Sequence, residues 1–310
     1  MSEIVLQTRN LTKRFGALTA VDQLSLDVQA GEIFGFLGPN GAGKTTSIQM
    51  MCGLMRPDSG DVLIDGKPIL GGDPSLRARV GVCPQENIIW AKLTCIEQLE
   101  FMGESYGLRR NLARQRGLVL LELLGLGSKT NELGGRLSGG MQRRLNMALA
   151  LVHDPELVVL DEPEAGLDPQ SRVLVREFVR ALARVKTVIL TTHNMDEAER
   201  LADRVAIIDH GQLLVLDTPE ALKRTLGDGD VLELEIAQDV ETALVLAREI
   251  LPEVSSSNHT LIARGHDLIE KLPVLLEKLR TANLTQREIK LRPNTLEDVF
   301  LALTGRKLRE

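Results

Sequence analysis

The chain has 310 residues, with 37 Lys and Arg against 43 Asp and Glu, which gives a formal charge of −6. At roughly 100–200 residues per domain, this length predicts two domains. A net acidic chain lacks the clustered positive charge that phosphate neutralisation requires, so no nucleic-acid partner is expected. The first residues carry no basic segment followed by a long apolar run, and no stretch approaches the roughly 20 apolar residues of a membrane span. We therefore expect no signal peptide and no direct membrane span.

Strand patterns dominate the beginning of the chain. Apolar Leu24, Leu26 and Val28 alternate with polar neighbours, which is typical of a half-buried strand. Residues 33–37 form an apolar run suited to a strand buried on both faces. The next predicted elements are a helix over residues 47–52, a hairpin around residues 62–64 and a strand over residues 80–83.

The hydrophobic period changes from two to nearly four between about residues 86 and 155, which predicts a helical insertion. Two apolar, β-branched runs follow at residues 157–160 and 187–190, and their composition indicates strands buried on both faces. Strands that alternate with helices predict an α/β fold with a mostly parallel sheet.

The pattern restarts after a turn at residues 227–230. Strand, helix, strand, strand, helix and strand follow in the ferredoxin-like order. The predicted elements are a strand at 231–236, a helix at 240–250, a weak strand near 254, a strand at 260–263, a helix at 268–279, a strand at 285–291 and a closing helix at 296–303. We therefore predict one domain over residues 1–218, with its helical subdomain at about 86–155, and a small α+β accessory domain over residues 228–310.

The segment GPNGAGKTT at residues 38–46 matches the phosphate-binding pattern GxxxxGK[ST] between a predicted strand and a predicted helix. Its glycines let backbone N–H groups point inward, and the helix that follows adds partial positive charge. Lys44 supplies a point charge for the β- and γ-phosphates, and the Thr45 hydroxyl can ligate Mg²⁺. The predicted nucleotide-binding residues of this loop are Gly38, Asn40, Gly41, Gly43, Lys44, Thr45 and Thr46. The pattern predicts a site for a nucleoside triphosphate.

Asp161 and Glu162 end the apolar run at residues 157–160, where ligands gather in open α/β sheets. We expect Asp161 to hold Mg²⁺ through water, and Glu162 to take a proton from an attacking water molecule. An alternative role, as an N-cap for a helix after Pro163, is disfavoured by the phosphate loop earlier in the chain.

Residues 137–142 (LSGGMQ) open a predicted helix, so Ser138 and the N–H groups of Gly139 and Gly140 offer a second anion site. This segment resembles the signature sequence of the ATP-binding subunits of ABC transporters, and the resemblance is strong over residues 4–218. It implies the P-loop NTPase fold of ABC type. It also implies that this second site faces the γ-phosphate bound to another copy, so that two subunits enclose two ATP molecules.

Four further residues are assigned by this resemblance. Gln85 resembles the glutamine that contacts Mg²⁺ and the lytic water and senses the membrane partner, and Asp168 lies in the loop that crosses the dimer interface. His193 resembles the switch histidine at the γ-phosphate, and Phe15 resembles the aromatic residue that stacks on adenine. Taken alone, a phenylalanine is more often a core residue and a histidine at a strand end more often structural.

The resemblance implies an ATPase with Lys44, Gln85, Glu162 and His193 as its catalytic residues. It also implies a homodimer that acts on separate transmembrane permease subunits, and a cytoplasmic location on the inner face of the cell membrane. Residues 296–305 resemble the end of the daunorubicin-resistance-type exporter ATPases, which points to export and multidrug resistance.

Glu164 departs from the family pattern, in which Thr is usual, and an extra carboxylate there can alter Mg²⁺ affinity or the pKa of Glu162. Trp90 is interpreted either as a contact to the membrane partner or as local packing. An ABC-type ATPase of DNA repair or translation is the alternative function. It is disfavoured because the chain carries no sustained heptads and only one copy of each motif.

Overall fold

The computed structural model describes residues 3–70, 74–227, 229–251 and 253–305. The chain divides into two compact units, one ending at Thr218 and one beginning at Pro219. Residue 228, the predicted start of the accessory domain, lies outside the described residues, as do residues 1–2 and 306–310 at the predicted outer limits.

The first unit alternates strands and helices as the sequence predicts. Its elements are β1 (Ile4–Phe15), β2 (Leu18–Gln29), β3 (Ile33–Leu37), α1 (Lys44–Met51), β4 (Ser59–Ile64), β5 (Lys67–Pro68), α2 (Pro74–Ala78), β6 (Val80–Cys83), α3 (Cys95–Ser105), α4 (Arg110–Leu123), α5 (Gly139–Leu151), β7 (Leu157–Asp161), α6 (Pro169–Ala183), β8 (Thr187–Thr192), α7 (Met195–Leu201), β9 (Arg204–Asp209) and β10 (Gln212–Asp217). Strands β9 and β10 are missing from the predicted elements, although Val205–Ile208 is an apolar run.

The central sheet has the order β10-β9-β3-β8-β7-β6. Its strands from β9 to β6 pair in parallel, and β10 adds an antiparallel edge. Every residue of β3, β7 and β8 is buried, which explains why these strands are continuous apolar runs. The carboxyl ends of parallel strands meet at one edge, so the loops after β3, β7 and β8 converge there.

A second sheet, of order β2-β1-β4-β5, is antiparallel and packs into the same core as α1. Leu6 of β1, Val62 of β4, Phe34 and Phe36 of β3 and Met50 of α1 are buried together in that core. This shared core fixes α1, and with it the loop at residues 38–43, against the central sheet.

The predicted insertion at residues 86–155 contains α3, α4 and α5. Thr94 and Glu97 form a capping box that starts α3, since each side chain bonds the other's main-chain N–H. Ser138 starts α5, where its hydroxyl accepts a hydrogen bond from the N–H of Met141 at 3.3 Å.

The second unit has the predicted ferredoxin-like order. Its elements are α8 (Pro219–Arg224), β11 (Asp230–Ile236), α9 (Val240–Arg248), β12 (Glu253–Ser257), β13 (Thr260–Gly265), α10 (Leu268–Thr281), β14 (Gln286–Pro293) and α11 (Leu296–Thr304). The sheet has the order β12-β13-β11-β14, and all neighbouring strands are antiparallel. The two strands that a helix connects, β11 with β12 and β13 with β14, are each separated by one other strand. Leu234, Leu261, Leu275 and Leu279 form its core between the sheet and its helices. The predicted fold class is therefore confirmed for both units.

Across the described part of the chain, no helix combines the length and the apolar character needed to cross a bilayer.

Candidate nucleotide-binding site

Gly38 and Gly43 are positions of the phosphate loop where packing excludes a side chain. A Cβ atom at Gly38 would lie 2.4 Å from the Ile208 carbonyl oxygen, and one at Gly43 would lie 2.3 Å from the Ala20 carbonyl oxygen. Gly43 also adopts a left-handed conformation, with φ 99°, where it precedes α1. These glycines let the main chain follow a tight path into the N-terminus of α1, an arrangement that suits anion binding.

Lys44, the first residue of α1, is buried inside this loop. Its Nζ donates to the carbonyl oxygens of Gly38 at 2.7 Å and Pro39 at 3.1 Å. Burial lowers the pKa of Lys44, while the carboxylates of Glu162 and Asp161 oppose that shift. The ammonium group is thus held within the loop and close to the carboxylates that end β7.

A cavity of about 390 Å³ lies beside the loop. It brings together Phe15, the phosphate loop, Gln85 and the Asp161–Glu162 pair, which are far apart in the chain. The lining residues are Phe15, Leu18, Thr19, Ala20, Asn40, Gly41, Gly43, Lys44, Thr45, Thr46, Gln85, Asp161, Glu162 and His210. Leu18, Thr19, Ala20 and His210 were not among the predicted site residues, and they come from β2 and from the turn after β9.

Phe15 lies at the end of β1 and is 49% exposed, so it is not a core residue. The ammonium of Lys13 lies 5.7 Å from the centre of its ring. An exposed aromatic face on the wall of a cavity is suited to stacking on a planar group.

Asp161 and Glu162 are both buried at the end of β7. The Thr191 hydroxyl donates to Asp161 Oδ1, and the N–H of Glu162 donates to the Thr191 carbonyl oxygen at 3.1 Å. Glu162 has φ 52°, a left-handed conformation that costs a residue other than glycine on the order of 1–3 kcal/mol. Thr191 at the end of β8 therefore anchors both members of the pair.

His193 holds the carboxylate of Glu162 from the β8 side. Its Nδ1 lies 2.9 Å from Glu162 Oε1, and its main-chain N–H donates to the same oxygen at 3.1 Å. The imidazole is 52% exposed, and His193 is not among the residues that line the cavity. The structure thus places His193 against the predicted base and outside the cavity wall.

Ser138, Gly139, Gly140 and Asp168 are likewise not among the described residues that line this cavity. Asp168 caps α6, where its carboxylate accepts from the N–H of Ser171 at 3.0 Å and from the Ser171 hydroxyl at 2.7 Å. A Cβ atom at Gly140 would lie 3.9 Å from Asp168 Oδ2. Gly140 and Asp168, two of the predicted interface residues, are therefore neighbours, and none of the four is part of the cavity wall of its own chain.

Glu164 is buried and paired with Arg176 of α6. Arg176 donates from Nε to Glu164 Oε1 at 3.0 Å and from Nη2 to Oε2 at 2.8 Å, a bidentate geometry. Glu164, the residue that departs from the family pattern, thus has its charge paired with that of Arg176.

Glu197 of α7 is a buried carboxyl group that contacts the end of β8. Its Oε2 accepts from the Thr192 hydroxyl at 2.7 Å, and its Oε1 is buried without a hydrogen-bond partner among the described residues. Burial raises the pKa of Glu197 to about 7, and the charges of Glu164 and Glu162 add to that shift.

Three residues of the site were not predicted from the sequence: Thr191, Glu197 and Arg143. Arg143 of α5 has a buried guanidinium that donates to main-chain carbonyls around the site. The signal available for Arg143 was the basic pair Arg143-Arg144 between the signature segment and the mostly apolar residues 145–151 of the same helix. Thr191 opens the Thr191-Thr192-His193 segment that follows the predicted strand at residues 187–190, and this position was the only indication of a role.

Comparison with known proteins agrees with this geometry. A family model described as ABC transporter matches residues 21–165. Nod factor export ATP-binding protein I of Ralstonia nicotianae is 40% identical, over 99% of this chain and 95% of that protein. Linearmycin resistance ATP-binding protein LnrL of Bacillus subtilis is 37% identical, over 99% of this chain and 100% of that protein.

Among solved structures, an ATP-binding subunit of an ABC transporter superposes with a TM-score of 0.66 at 27% identity, covering 72% of this chain and 93% of that one. The named relatives extend along both units, and the solved structure has the fold on which the loop, the carboxylate pair and the cavity are built. The chain belongs to the ABC transporter family and is an ATP-binding, ATP-hydrolysing subunit of the exporter type.

Proposed function

We propose that this chain binds ATP and Mg²⁺ in the cavity beside residues 38–46 and pairs with a second copy to hydrolyse the ATP. Hydrolysis then drives export through separate transmembrane subunits at the inner face of the cell membrane. One observation carries the proposal. The cavity joins the phosphate loop to Gln85, Asp161 and Glu162, whereas the second anion site at Ser138 is not part of its lining.

Within one chain, the cavity provides groups for one side of a triphosphate. Lys44 and the N-terminus of α1 suit its β- and γ-phosphates, and Phe15 suits the adenine ring. The Thr45 hydroxyl, the Gln85 side chain and, through water, Asp161 are the oxygen donors that fit Mg²⁺. When bound, the metal supplies charge that stabilises the phosphates during transfer.

Glu162 is proposed as the general base. Its carboxylate is buried, oriented by His193 at 2.9 Å and part of the cavity wall, so it can take a proton from a water molecule that attacks the γ-phosphate. Ser138 with Gly139 and Gly140 would then approach the γ-phosphate from a second copy, together with Asp168. Each charge-assisted hydrogen bond across that interface contributes roughly 1.5–3 kcal/mol, which favours a dimer with ATP over one with ADP.

Trp90 is proposed to contact the membrane partner. It is 39% exposed and packs edge-on against Phe101, with ring centres 5.4 Å apart, and the neighbouring Ile88 is 47% exposed. Local packing and partner contact are therefore compatible at this position. Export as the direction of transport is supported by the relatives, whose names state export and resistance and whose similarity includes the second unit. The alternative role in DNA repair or translation has no such support.

The test is Glu162→Gln, which keeps the shape of the side chain and removes the base. We expect ATP turnover to fall on the order of 10²–10⁴-fold while ATP still binds. With ATP and Mg²⁺, the variant should also sediment as a dimer, because the closed dimer does not reopen without hydrolysis. Glu177→Gln, an exposed position of α6, is the matched control and should keep its turnover. Near-normal turnover of the Glu162 variant, or a monomer with ATP, would contradict the proposal.

A further inference from the structure

Arg143, in the first half of α5, is a buried cation whose acceptors belong to two separate segments of the site. The residue is 3% exposed. Its Nη1 donates to the carbonyl oxygens of Pro84 and, at 3.0 Å, of Gln85. Its Nη2 donates to the carbonyl oxygens of Asp161 and, at 3.0 Å, of Glu162. One side chain therefore joins the loop after β6 to the end of β7.

The main chain of Glu162 is held from both sides. Arg143 binds its carbonyl oxygen, and its N–H donates to Thr191 at 3.1 Å. A left-handed conformation such as the φ of 52° at Glu162 persists only where the surroundings over-determine it. Arg143 is thus one of the groups that fix the direction of the Glu162 carboxylate.

The chemistry of the side chain explains why arginine stands at this position. Its planar guanidinium presents two Nη groups in a fixed fork, and each group can serve one segment. A lysine ammonium is a single point and cannot keep two pairs of carbonyls at a fixed spacing. These acceptors are neutral carbonyls, so they do not compensate the buried charge as a carboxylate would.

We propose that Arg143 is a positioning residue that keeps the Gln85 segment and the Glu162 carboxylate in register. It lies little more than one helical turn after Ser138 on the same helix, so the second anion site and the base are joined through one rigid element. An anion held at the start of α5 and a displacement of the Gln85 segment then both act on Glu162. This inference rests on the proposed function, because it takes Glu162 as the base.

The test compares Arg143→Lys with Arg144→Lys, the same substitution at the next position of α5. Arg144 donates from Nη1 to the Leu124 carbonyl oxygen at 2.8 Å, at the end of α4, and from Nε to the Gly140 carbonyl oxygen at 3.4 Å. These hydrogen bonds involve neither the Gln85 segment nor the end of β7. For Arg143→Lys we expect kcat to fall about 10–100-fold, because small displacements of a catalytic group cost that much, while KM for ATP stays within about twofold. Arg144→Lys should keep kcat within about twofold of the original chain.

A double variant separates positioning from a general loss of structure. If Arg143 acts through Glu162, adding Arg143→Lys to Glu162→Gln causes no further loss of turnover. The inference would be overturned if the two substitutions together reduced turnover by the product of their separate effects. A fall in kcat matched by a rise in KM, or full turnover in a folded Arg143→Lys chain, would also overturn it. If the Arg143→Lys chain does not fold, Arg143→Gln is used instead, and kcat should again fall while KM for ATP stays within about twofold. Normal turnover in Glu162→Gln alone would instead refute the proposed function.

Discussion

Two buried carboxyl groups, one in each unit, have pKa values that are shifted in opposite directions. Glu197 in the first unit and Asp298 in the second are each 5% exposed. Burial raises the pKa of Glu197 to about 7, whereas Asp298 has its pKa lowered to about 2. Burial alone therefore does not decide the charge state, and the partners of each carboxyl group do.

The partners differ in kind. Burial also disfavours the charge of Asp298, but Arg292 donates to both of its oxygens, at 2.5 and 3.1 Å, and Thr295 donates from its hydroxyl at 2.7 Å. Glu197 has the Thr192 hydroxyl on one oxygen, and its carboxylate neighbours oppose its ionisation. In the second unit, Arg292 and Arg264 pair directly with this buried carboxylate. Around the site of the first unit, Arg176 pairs with Glu164, whereas Lys44 and Arg143 bind main-chain carbonyls.

Lys44→Ala tests the use of charge in the first unit and has the largest expected effect of the three substitutions that bear on this comparison. Without the ammonium group, we expect ATP affinity to weaken and turnover to fall on the order of 10²–10³-fold, because a preorganised donor to the phosphates is lost. Calorimetric titration with ATP and a steady-state ATPase assay measure the two effects. Amide exchange in residues 229–251 and 253–305 should be unchanged. Unaltered ATP affinity would refute the role of the loop.

Asp298→Asn tests the use of charge in the second unit. The substitution leaves Arg292 and Arg264 without their shared carboxylate, at a cost of about 3 kcal/mol, the lower end of the range for a buried ion pair, because Arg292 keeps its ion pair with Glu233. We expect faster amide exchange in β11, β14 and α11, with ATP affinity unchanged. Asp267→Asn, where the cap of α10 makes no side-chain hydrogen bond, is the control. Equal exchange in both variants would show that the ion pair does not stabilise this unit.

Glu197→Gln tests the pH dependence of the first unit and has the smallest expected effect. Because the folded pKa of about 7 lies above the ordinary value of 4.5, the folded chain binds more protons between these pH values. The free energy of unfolding should therefore fall by about 3 kcal/mol as pH rises through that window, and level off above pH 7.

In Glu197→Gln this decrease of the free energy of unfolding with rising pH should be lost. Urea unfolding from pH 5 to 8.5 measures it, and Asp196→Asn, exposed on the same helix, should keep it. An identical slope in the Glu197 variant would mean that another group titrates in this range.

The sequence by itself determined the features that depend on neighbours along the chain. The glycine spacing and Lys44 of the phosphate loop, the apolar runs of the parallel sheet and the order of elements in the second unit all follow from local patterns. The hairpin of β9 and β10 escaped prediction, since two short apolar runs around His210-Gly211 are ambiguous without the sheet that pairs with them.

Only the tertiary structure decided which distant groups meet. Arg143 and Gln85 are 58 positions apart, and Glu162 and His193 are 31 positions apart, yet each pair is in hydrogen-bond contact. The pKa of Glu197 likewise depends on how deeply it is buried and on which carboxylates surround it. Local sequence fixes which chemical groups are present, but the distances and the dielectric surroundings that tune them arise when separate segments pack together.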